Sequence, residues 1–317
     1  MKKNDKFRIA VLGIGGVGGY FGGKLAARFA DSAEREVIFI ARGDNAKVIS
    51  RNGLKIITPE GEEIAKPKIV TDDPRQIGVA DIFLICTKAY DLAESINKYR
   101  ASIGEGTVIL PLLNGVDHAA KIKEIVPAAE VWNGCVFIVS RRIAPGVVKV
   151  DSDIRLFQFG SPDGTPEKLE NFEKILQEAG IDAELSADID RTVWEKFIFI
   201  SSLATLTSYL DTKIGGINAS EENRRVLAAL VAEVTALAAA KKINVADNIA
   251  ETTLRRIKSA PGDSTSSMHS DFMKKGETEL ETLTGYVVRE AKRFDLPVPV
   301  YEKLYRELRQ RNQAAMP

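Results

Sequence analysis

The first part of the chain, to about residue 185, alternates compact apolar runs with amphipathic stretches of helical period. Four runs rich in Ile, Val and Leu predict buried strands: FRIAVL (7–12), EVIFIA (36–41), DIFLICT (81–87) and TVILPLL (107–113). The segments between them show the helical period near residues 17–31, 44–52, 89–99 and 116–125. Continuous apolar runs are typical of strands covered on both faces, and strand–helix alternation predicts a parallel sheet with helices on both sides.

Shorter strand-like runs lie between and after these elements. LKIIT (54–58) and KPKIV (66–70) are joined through PEGEE (59–63), a turn signal, which predicts a hairpin or two short extra strands. Residues 131–160 contain the runs CVFIVS, GVVKV and RLFQFG, which predict antiparallel strands.

From about residue 188 the pattern is helical almost to the end, with long periodic segments at 189–210, 220–241, 245–259, 278–294 and 299–312. Breaks are expected at Gly215-Gly216, Pro261-Gly262 and Pro297/Pro299. The pattern predicts an α/β domain over residues 1–187, followed by an all-helical domain over 188–317. The segment 225–240 is apolar nearly all round, which predicts either domain core or a subunit interface.

Composition narrows the classes of function. A chain of 317 residues has room for two domains. Lys+Arg and Asp+Glu both number 44, and this zero net charge argues against a nucleic-acid binder. Hydrophobic residues make up 44% and charged residues 28%, as in soluble globular proteins, and no apolar run is long enough to predict a membrane span.

Cysteine and histidine are scarce. Cys86 and Cys135 lie in apolar runs and are expected to be buried free thiols, which favours the reducing cytoplasm. His118 is expected at the surface where a helix starts, and His269 as an exposed neighbour of Ser267. Since no His/Cys cluster has ligand spacing, no metal site is predicted.

The sequence GIGGVG (13–18) follows the first strand directly and precedes a helical stretch. In that context G-x-G-x-x-G predicts dinucleotide binding in a Rossmann-type doubly wound parallel sheet. Gly13 permits the tight turn, Gly15 the close approach of a pyrophosphate, and Gly18 the packing of helix on strand. Because a helix N-terminus offers N–H donors to phosphates, the residues predicted to hold the cofactor are Gly13, Gly15, Gly16, Val17 and Gly18.

The end of the second strand indicates which dinucleotide binds. An NAD site usually has an acidic residue there, on the ribose 2′-hydroxyl. Here the strand ends at Arg42, whose guanidinium can pair with a 2′-phosphate, and Asp44 comes two residues later. NADP (NADPH) is therefore predicted rather than NAD.

Further motifs follow in order along the chain: Thr87-Lys88-Ala89-Tyr90, Leu113-Asn114-Gly115-Val116, Trp194-Glu195-Lys196-Phe197, Ser266-Ser267-Met268 and Thr278-Glu279-Leu280-Glu281. With the glycine loop before them, the sequence resembles the ketopantoate reductase (2-dehydropantoate 2-reductase) family over essentially its whole length. The resemblance implies NADPH-dependent reduction of a 2-oxo acid to a 2-hydroxy acid, feeding pantothenate biosynthesis. Because members of this family are commonly dimers, the resemblance also implies a homodimer.

The resemblance assigns a role to each matching residue. Lys196 would be the general acid that protonates the developing alkoxide, and Glu279 would act with it in catalysis. Ser267 would hold substrate, while Lys88 and Asn114 would line the cofactor and substrate cleft. Independently of the family, hydride transfer to a ketone builds negative charge on oxygen, and a lysine is the plausible proton donor in this chain.

Other interpretations of these residues stay open. Asn114 could be a turn residue, and Ser266 or Ser267 could cap a helix. Ile200 and Ala204 stand one and two helical turns after Lys196, where the family usually has asparagines.

These departures bear on the substrate. Hydroxyls nearby, at Ser201, Ser202, Thr205 and Thr207, could compensate for the missing asparagines. The alternatives to ketopantoate reduction are therefore a reductase of a more apolar 2-oxo acid and a non-catalytic NADP-binding sensor.

Overall fold

The structure, a computed structural model, describes residues 6–315. The outermost residues of the two predicted domains, 1–5 and 316–317, lie outside it. The strands are β1 (Phe7–Leu12), β2 (Arg35–Ile40), β3 (Leu54–Thr58), β4 (Gly61–Ala65), β5 (Ile69–Thr71), β6 (Ala80–Ile85), β7 (Ile103–Pro111), β8 (Glu130–Val131), β9 (Asn133–Phe137), β10 (Ser140–Ala144), β11 (Val147–Val150), β12 (Leu156–Gly160) and β13 (Asp182–Leu185).

The α-helices are α1 (Gly16–Arg28), α2 (Gly43–Asn52), α3 (Leu92–Lys98), α4 (His118–Ile125), α5 (Pro166–Glu178), α6 (Ile189–Leu210), α7 (Ile214–Ala219), α8 (Glu221–Ala240), α9 (Ile249–Ser259), α10 (Ser267–Met273), α11 (Tyr286–Arg293) and α12 (Pro299–Ala315). Short 3₁₀ turns occur at Pro74–Gln76, Ala89–Asp91 and Arg100–Ser102, and Glu281–Gly285 is a π-helical turn.

The chain divides into two compact units. The first runs to Leu113 and from Asp117 to Ile189, and the second combines Asn114–Val116 with the chain from Asp190 onwards. The assignment of Asn114–Val116 to the helical unit was not expected from the sequence.

A parallel sheet organises the first unit. Within the described residues its order is β5-β2-β1-β6-β7-β8, and every neighbouring pair is parallel. Successive side chains along its strands point into two different hydrophobic cores. In β1, Ile9 and Val11 face one core, while Ala10 and Leu12 face the other. The doubly wound α/β prediction is confirmed, because both sheet faces are covered.

Two smaller sheets complete this unit, in the orders β10-β11-β3-β4 and β13-β12-β9. The predicted hairpin after β3 forms, but with Gly61–Ala65 as its partner rather than with residues 66–70. Instead, Ile69–Thr71 adds to the edge of the parallel sheet beside β2. The runs in 131–160 pair antiparallel as predicted in β9–β12 and β10–β11, while β11 also pairs parallel with β3.

The second unit is helical and has its own core. In α8, Leu227, Val231 and Val234 are buried in that core, so the core interpretation of segment 225–240 holds for this face. The break predicted at Gly215-Gly216 is wrong, since both glycines lie in α7. Gly215 donates its backbone N–H to the carbonyl of Gly262 at 2.8 Å, so its missing side chain serves a close backbone approach.

Candidate active site

The glycine loop connects the carboxyl end of β1 to α1. Gly13 has φ +91°, and a Cβ there would lie 2.8–2.9 Å from the backbone of Cys86 and Thr87. At Gly18 a Cβ would collide with the carbonyl oxygen of Gly13. These two glycines are therefore required by the fold itself.

Gly15 differs from its neighbours in the loop. A Cβ built on it meets no atom within 4 Å, so no neighbouring atom excludes a side chain there. The bare backbone faces open space beside the first turn of α1, whose leading N–H groups have no partner within the helix. An open cradle of N–H donors is the arrangement that a pyrophosphate fits.

Two buried hydroxyls border this cradle. Within the described residues, Thr87 Oγ1 and Ser140 Oγ have no hydrogen-bond partner. Thr87 follows β6 and its backbone contacts the position of Gly13, whereas the Ser140 backbone packs on Gly16. Because buried polar atoms are rarely left unpaired, these hydroxyls fit a polar ligand at the loop.

The thiol of Cys86, which packs against the glycine loop, is not a nucleophile. Burial raises the pKa of Cys86 to about 12, so the thiolate is scarce at neutral pH. Its side chain packs 2.8 Å from the Cβ that Gly18 lacks. Cys86 is a free thiol, as the sequence predicts, and its role is packing.

Arg42 is exposed at the end of β2 and occupies the N-cap position of α2, where its side chain makes no capping hydrogen bond. Its neighbour Asn45, which the sequence analysis missed, is buried. The Asn45 amide donates to the Ile14 carbonyl at 3.1 Å and accepts from the Gly146 N–H at 2.8 Å. Asn45 therefore ties the glycine loop to the β10–β11 turn. Its one sequence signal is its place one turn before buried Ile49.

Lys88 and Asn114 both follow strands of the parallel sheet. Lys88 is half-buried and directly precedes the 3₁₀ turn Ala89–Asp91 that follows β6. Asn114 is also half-buried and follows β7, but it belongs to the second unit, where Val116 packs against the core. Its neighbour Gly115 has φ +127°, a backbone conformation that favours glycine.

Lys196 lies half-buried on α6, beside the fully buried Phe197 and Ile198. Ile200 is also half-buried, but Ala204, one turn further, is completely buried. The helix face that begins at Lys196 thus passes into the core between these two positions.

The hydroxyls expected to compensate for the missing asparagines do not face a ligand. Ser201 Oγ donates to the Leu283 carbonyl at 3.0 Å and lies 2.7 Å from the hydroxyl of Tyr301. Thr205 Oγ1 lies 2.8 Å from Thr284 Oγ1. All four hydroxyl residues are completely buried, so they bind α6 to its neighbours and the expectation is wrong.

Glu279 is 97% buried and lies two residues before the π-helical turn Glu281–Gly285. Its carbonyl accepts the N–H of Leu283 at 2.9 Å. A π-helical turn is rare and often marks a functional position. The same turn is held on α6 by the hydroxyls of Ser201 and Thr205, so the helix of Lys196 and the segment after Glu279 are directly bonded.

The two serines of the motif Ser266-Ser267-Met268 have different environments. Ser266 is buried and caps α10, accepting from the N–H of His269 at 3.1 Å. Ser267 is exposed as the first residue of that helix, which leaves its hydroxyl accessible.

Both histidine expectations are wrong about exposure. His269 is buried between Thr265 and Asp211, at 2.7 Å and 2.9 Å, instead of being exposed beside Ser267. His118 does start a helix, as expected, but it too is buried.

In the part of the chain that the structure describes, no group of His, Cys, Asp and Glu is placed to hold a metal ion. Likewise, none of the described helices is both long and apolar enough to span a membrane.

The fold and the glycine cradle define a dinucleotide-binding protein with a helical second domain. Family models described as "Ketopantoate reductase PanE/ApbA" and its C-terminal part match residues 9–164 and 188–312. The chain therefore belongs to the ketopantoate reductase family, and it is an oxidoreductase of the 2-dehydropantoate 2-reductase type that uses a nicotinamide cofactor.

Individual relatives agree over nearly the full length. An "uncharacterized oxidoreductase YkpB" of Bacillus subtilis is 30% identical over 95% of this chain and 97% of its own. A 2-dehydropantoate 2-reductase of Halobacterium salinarum is 28% identical over 94% and 96%. The crystal structure of 2-dehydropantoate 2-reductase from Porphyromonas gingivalis is 39% identical, has a TM-score of 0.84, and covers 96% of this chain and 99% of its own.

Proposed function

We propose that this protein reduces 2-dehydropantoate (ketopantoate) to pantoate with NADPH, the step that supplies pantoate for pantothenate biosynthesis. The observation that carries the proposal is the open glycine cradle, which has Arg42 at the end of the next strand, in a chain of this family. Relatives from Halobacterium salinarum and Porphyromonas gingivalis bear the name of this activity.

The proposed chemistry divides between cofactor and protein. When bound, the nicotinamide supplies the hydride. Lys196 donates the proton to the oxygen of the former ketone, where negative charge develops, and a nearby cation or proton donor lowers that barrier. Glu279 acts with this lysine, and Ser267 and Asn114 bind the substrate. Lys88 and the loop residues from Gly13 to Gly18 hold the cofactor.

A more apolar 2-oxo acid is the second candidate substrate. The half-buried side chain of Ile200 has no hydrogen-bonding group. The hydroxyls of Ser201 and Thr205 already hydrogen-bond to other residues of the second unit. A site built to bind a substrate hydroxyl strongly rejects analogues without it, whereas an apolar site discriminates weakly. A D-mandelate dehydrogenase, solved with NADH and anilino(oxo)acetate, shares this fold with a TM-score of 0.86.

The substrate is tested by NADPH oxidation with ketopantoate, beside a panel of apolar 2-oxo acids and an NADH control. Fast oxidation with ketopantoate supports the proposal. Oxidation only with another 2-oxo acid moves the assignment to the second candidate. Tight NADPH binding without turnover on any acid would favour the non-catalytic sensor.

Lys196→Ala tests the proton donor. We expect it to lower kcat by about 100-fold or more, as for loss of general acid catalysis, and to change the Kd of NADPH little, since the lysine acts on charge formed in the transition state. Lys213→Ala, in the same unit, is the control. Unchanged kcat would rule out this role for Lys196.

A further inference from the structure

A cavity of about 500 Å³ lies where the start of α2 meets the β10–β11 hairpin. It belongs entirely to the first unit and begins directly after the strand end at which a Rossmann-type fold binds the adenosine ribose. Its lining residues are Arg42, Asp44, Asn45, Arg142, Ile143, Ala144 and Pro145.

Two arginines line this cavity from segments 100 residues apart in sequence. Both are exposed, and among the described residues neither has a side-chain hydrogen bond or an ion pair with a carboxylate. The neighbouring Arg141 behaves differently, since it pairs with Asp151 at 2.7 Å. Arg42 and Arg142 are therefore available to bind an external anion.

Asp44 also lines the cavity, but its carboxylate does not neutralise both Arg42 and Arg142. Asp44 pairs with Lys47 at 3.2 Å. The charged groups that line the cavity are thus two guanidinium groups and one carboxylate that is already paired outside it. This excess of positive charge favours the binding of a small dianion over that of a neutral hydroxyl group.

The hairpin that carries Arg142 is held in place by buried contacts. Asn45 accepts the Gly146 N–H at 2.8 Å while donating to the glycine loop, as described above. Gly146, at φ +71°, makes the tight turn that this contact needs. At the other end of β10, the Ser140 carbonyl packs against Gly16 in the first turn of α1. These contacts therefore fix the cavity wall relative to the glycine loop.

We propose that Arg142 acts with Arg42 to hold the 2′-phosphate of NADPH and that this arginine pair sets the preference for NADPH over NADH. The inference rests on the proposed use of NADPH. A phosphate monoester carries close to two negative charges at neutral pH and accepts several charge-assisted hydrogen bonds, which suits two planar guanidinium groups.

The test compares Arg142→Ala with Arg141→Ala. The two residues are adjacent on β10 and point to opposite faces, so both variants lose one positive charge from the same strand. The Kd values of NADPH and NADH are measured by fluorescence titration with the full-length protein. Competition by adenosine 2′,5′-bisphosphate and by adenosine 5′-monophosphate isolates the phosphate, and no 2-oxo acid is needed.

We expect Arg142→Ala to weaken NADPH binding by about tenfold or more, the usual effect of losing a charge-assisted bond. NADH and adenosine 5′-monophosphate should bind within about twofold of the wild type, because they lack the group that the arginine holds. Arg141→Ala should leave all the affinities unchanged, and Arg42→Ala should resemble Arg142→Ala.

The outcomes separate the inference from the proposed cofactor. A wild type that prefers NADH or shows no preference overturns the NADPH assignment, and the inference falls with it. If the wild type prefers NADPH, an unchanged preference in Arg142→Ala overturns the inference alone. Equal weakening of NADPH and NADH also overturns it, because that result assigns Arg142 to the structure of the hairpin.

Discussion

At the scale of single residues, the glycines of the loop are required for different physical reasons. Gly13 adopts φ +91° and packs against the backbone of Cys86, so the fold needs it. A Cβ on Gly15 would meet no atom within 4 Å, so steric exclusion inside the protein does not account for this glycine, whereas the predicted approach of a pyrophosphate does. The motif G-x-G-x-x-G does not distinguish these cases, because both appear in it as the same letter.

We therefore expect Gly13→Ala and Gly15→Ala to fail in different ways. Gly13→Ala should lower the free energy of unfolding by about 2 kcal/mol or more, from strain and overpacking. Gly15→Ala should leave stability within about 0.5 kcal/mol, as at an open surface position, but should weaken NADPH binding about tenfold, because its methyl group occupies the approach of the pyrophosphate.

Urea unfolding and cofactor titration of both variants check this prediction. A strongly destabilised Gly15→Ala would show that the cradle is closed in solution. Full NADPH affinity in Gly15→Ala would show that the pyrophosphate does not approach this residue.

At the scale of elements, hydroxyl groups join α6 to the π-helical turn Glu281–Gly285. Ser201 and Thr205 are one turn apart on α6 and reach Leu283 and Thr284. This arrangement gives the carbonyl of Leu283 a donor inside a dry core, where an unpaired carbonyl is costly. The helix of Lys196 and the segment of Glu279 are held in one register by these bonds.

Ser201→Ala should destabilise the protein by about 1–3 kcal/mol, because the Leu283 carbonyl and the Tyr301 hydroxyl lose a buried partner. Ser202→Ala is the matched control. It is equally buried on the same helix, but its hydroxyl has only a longer contact of 3.4 Å to Tyr301. Unfolding in urea should show a clearly larger loss for Ser201→Ala, and equal losses would contradict this account of the turn.

At the scale of the whole molecule, each unit has its own hydrophobic core. The first is built on both faces of the parallel sheet, and the second surrounds α6 and α8. Every residue proposed to hold the cofactor phosphates lies in the first unit. Amide exchange can therefore locate the effect of the cofactor within the chain.

NADPH should protect the backbone amides of residues 15–18 and of 140–146 from hydrogen exchange. The amides of the first α1 turn have no helical partner, so a bound phosphate is what would protect them. Exchange measured by mass spectrometry, with and without NADPH, checks this. Protection absent from both segments would contradict the placement of the cofactor. NADH should protect residues 15–18 but protect 140–146 less, since it has no 2′-phosphate.

Much of the architecture could be predicted because its signals are local. The strand FRIAVL is Phe7–Leu12 in the structure, and helix 189–210 is Ile189–Leu210. Long runs with one clear period are decided by the residues that they contain. Helix α7 was missed because its two glycines indicate a break, whereas Gly215 permits close contact with Gly262 and Gly216 permits close contact with Thr212. The partner of β3 was misplaced because β4 begins inside the predicted turn PEGEE (59–63), and its glycine and glutamates are not typical of a strand.

The candidate site was predictable to the extent that it forms consecutive motifs. The glycine loop and Arg42 are read directly from the chain, but Arg142 carries no local signal, and Asn45 has only its place one turn before Ile49. They become neighbours of the loop only when β10 and β11 fold beside α1 and α2. Burial could not be predicted from the sequence either, since Ser266 and Ser267 are adjacent serines, yet Ser266 is buried and Ser267 is exposed.

Local patterns were enough to predict the periodic elements, the doubly wound α/β class and the glycine loop. Each single element or motif depends on residues within about 20 positions of one another, and the class follows from the order of those elements. Tertiary contacts are needed to show which hydroxyls are hydrogen-bonded in the core, which histidines are buried, and which arginine lines the same cavity as Arg42. Those facts depend on contacts between distant segments, and the periodicity of one segment contains no information about the partner against which it packs.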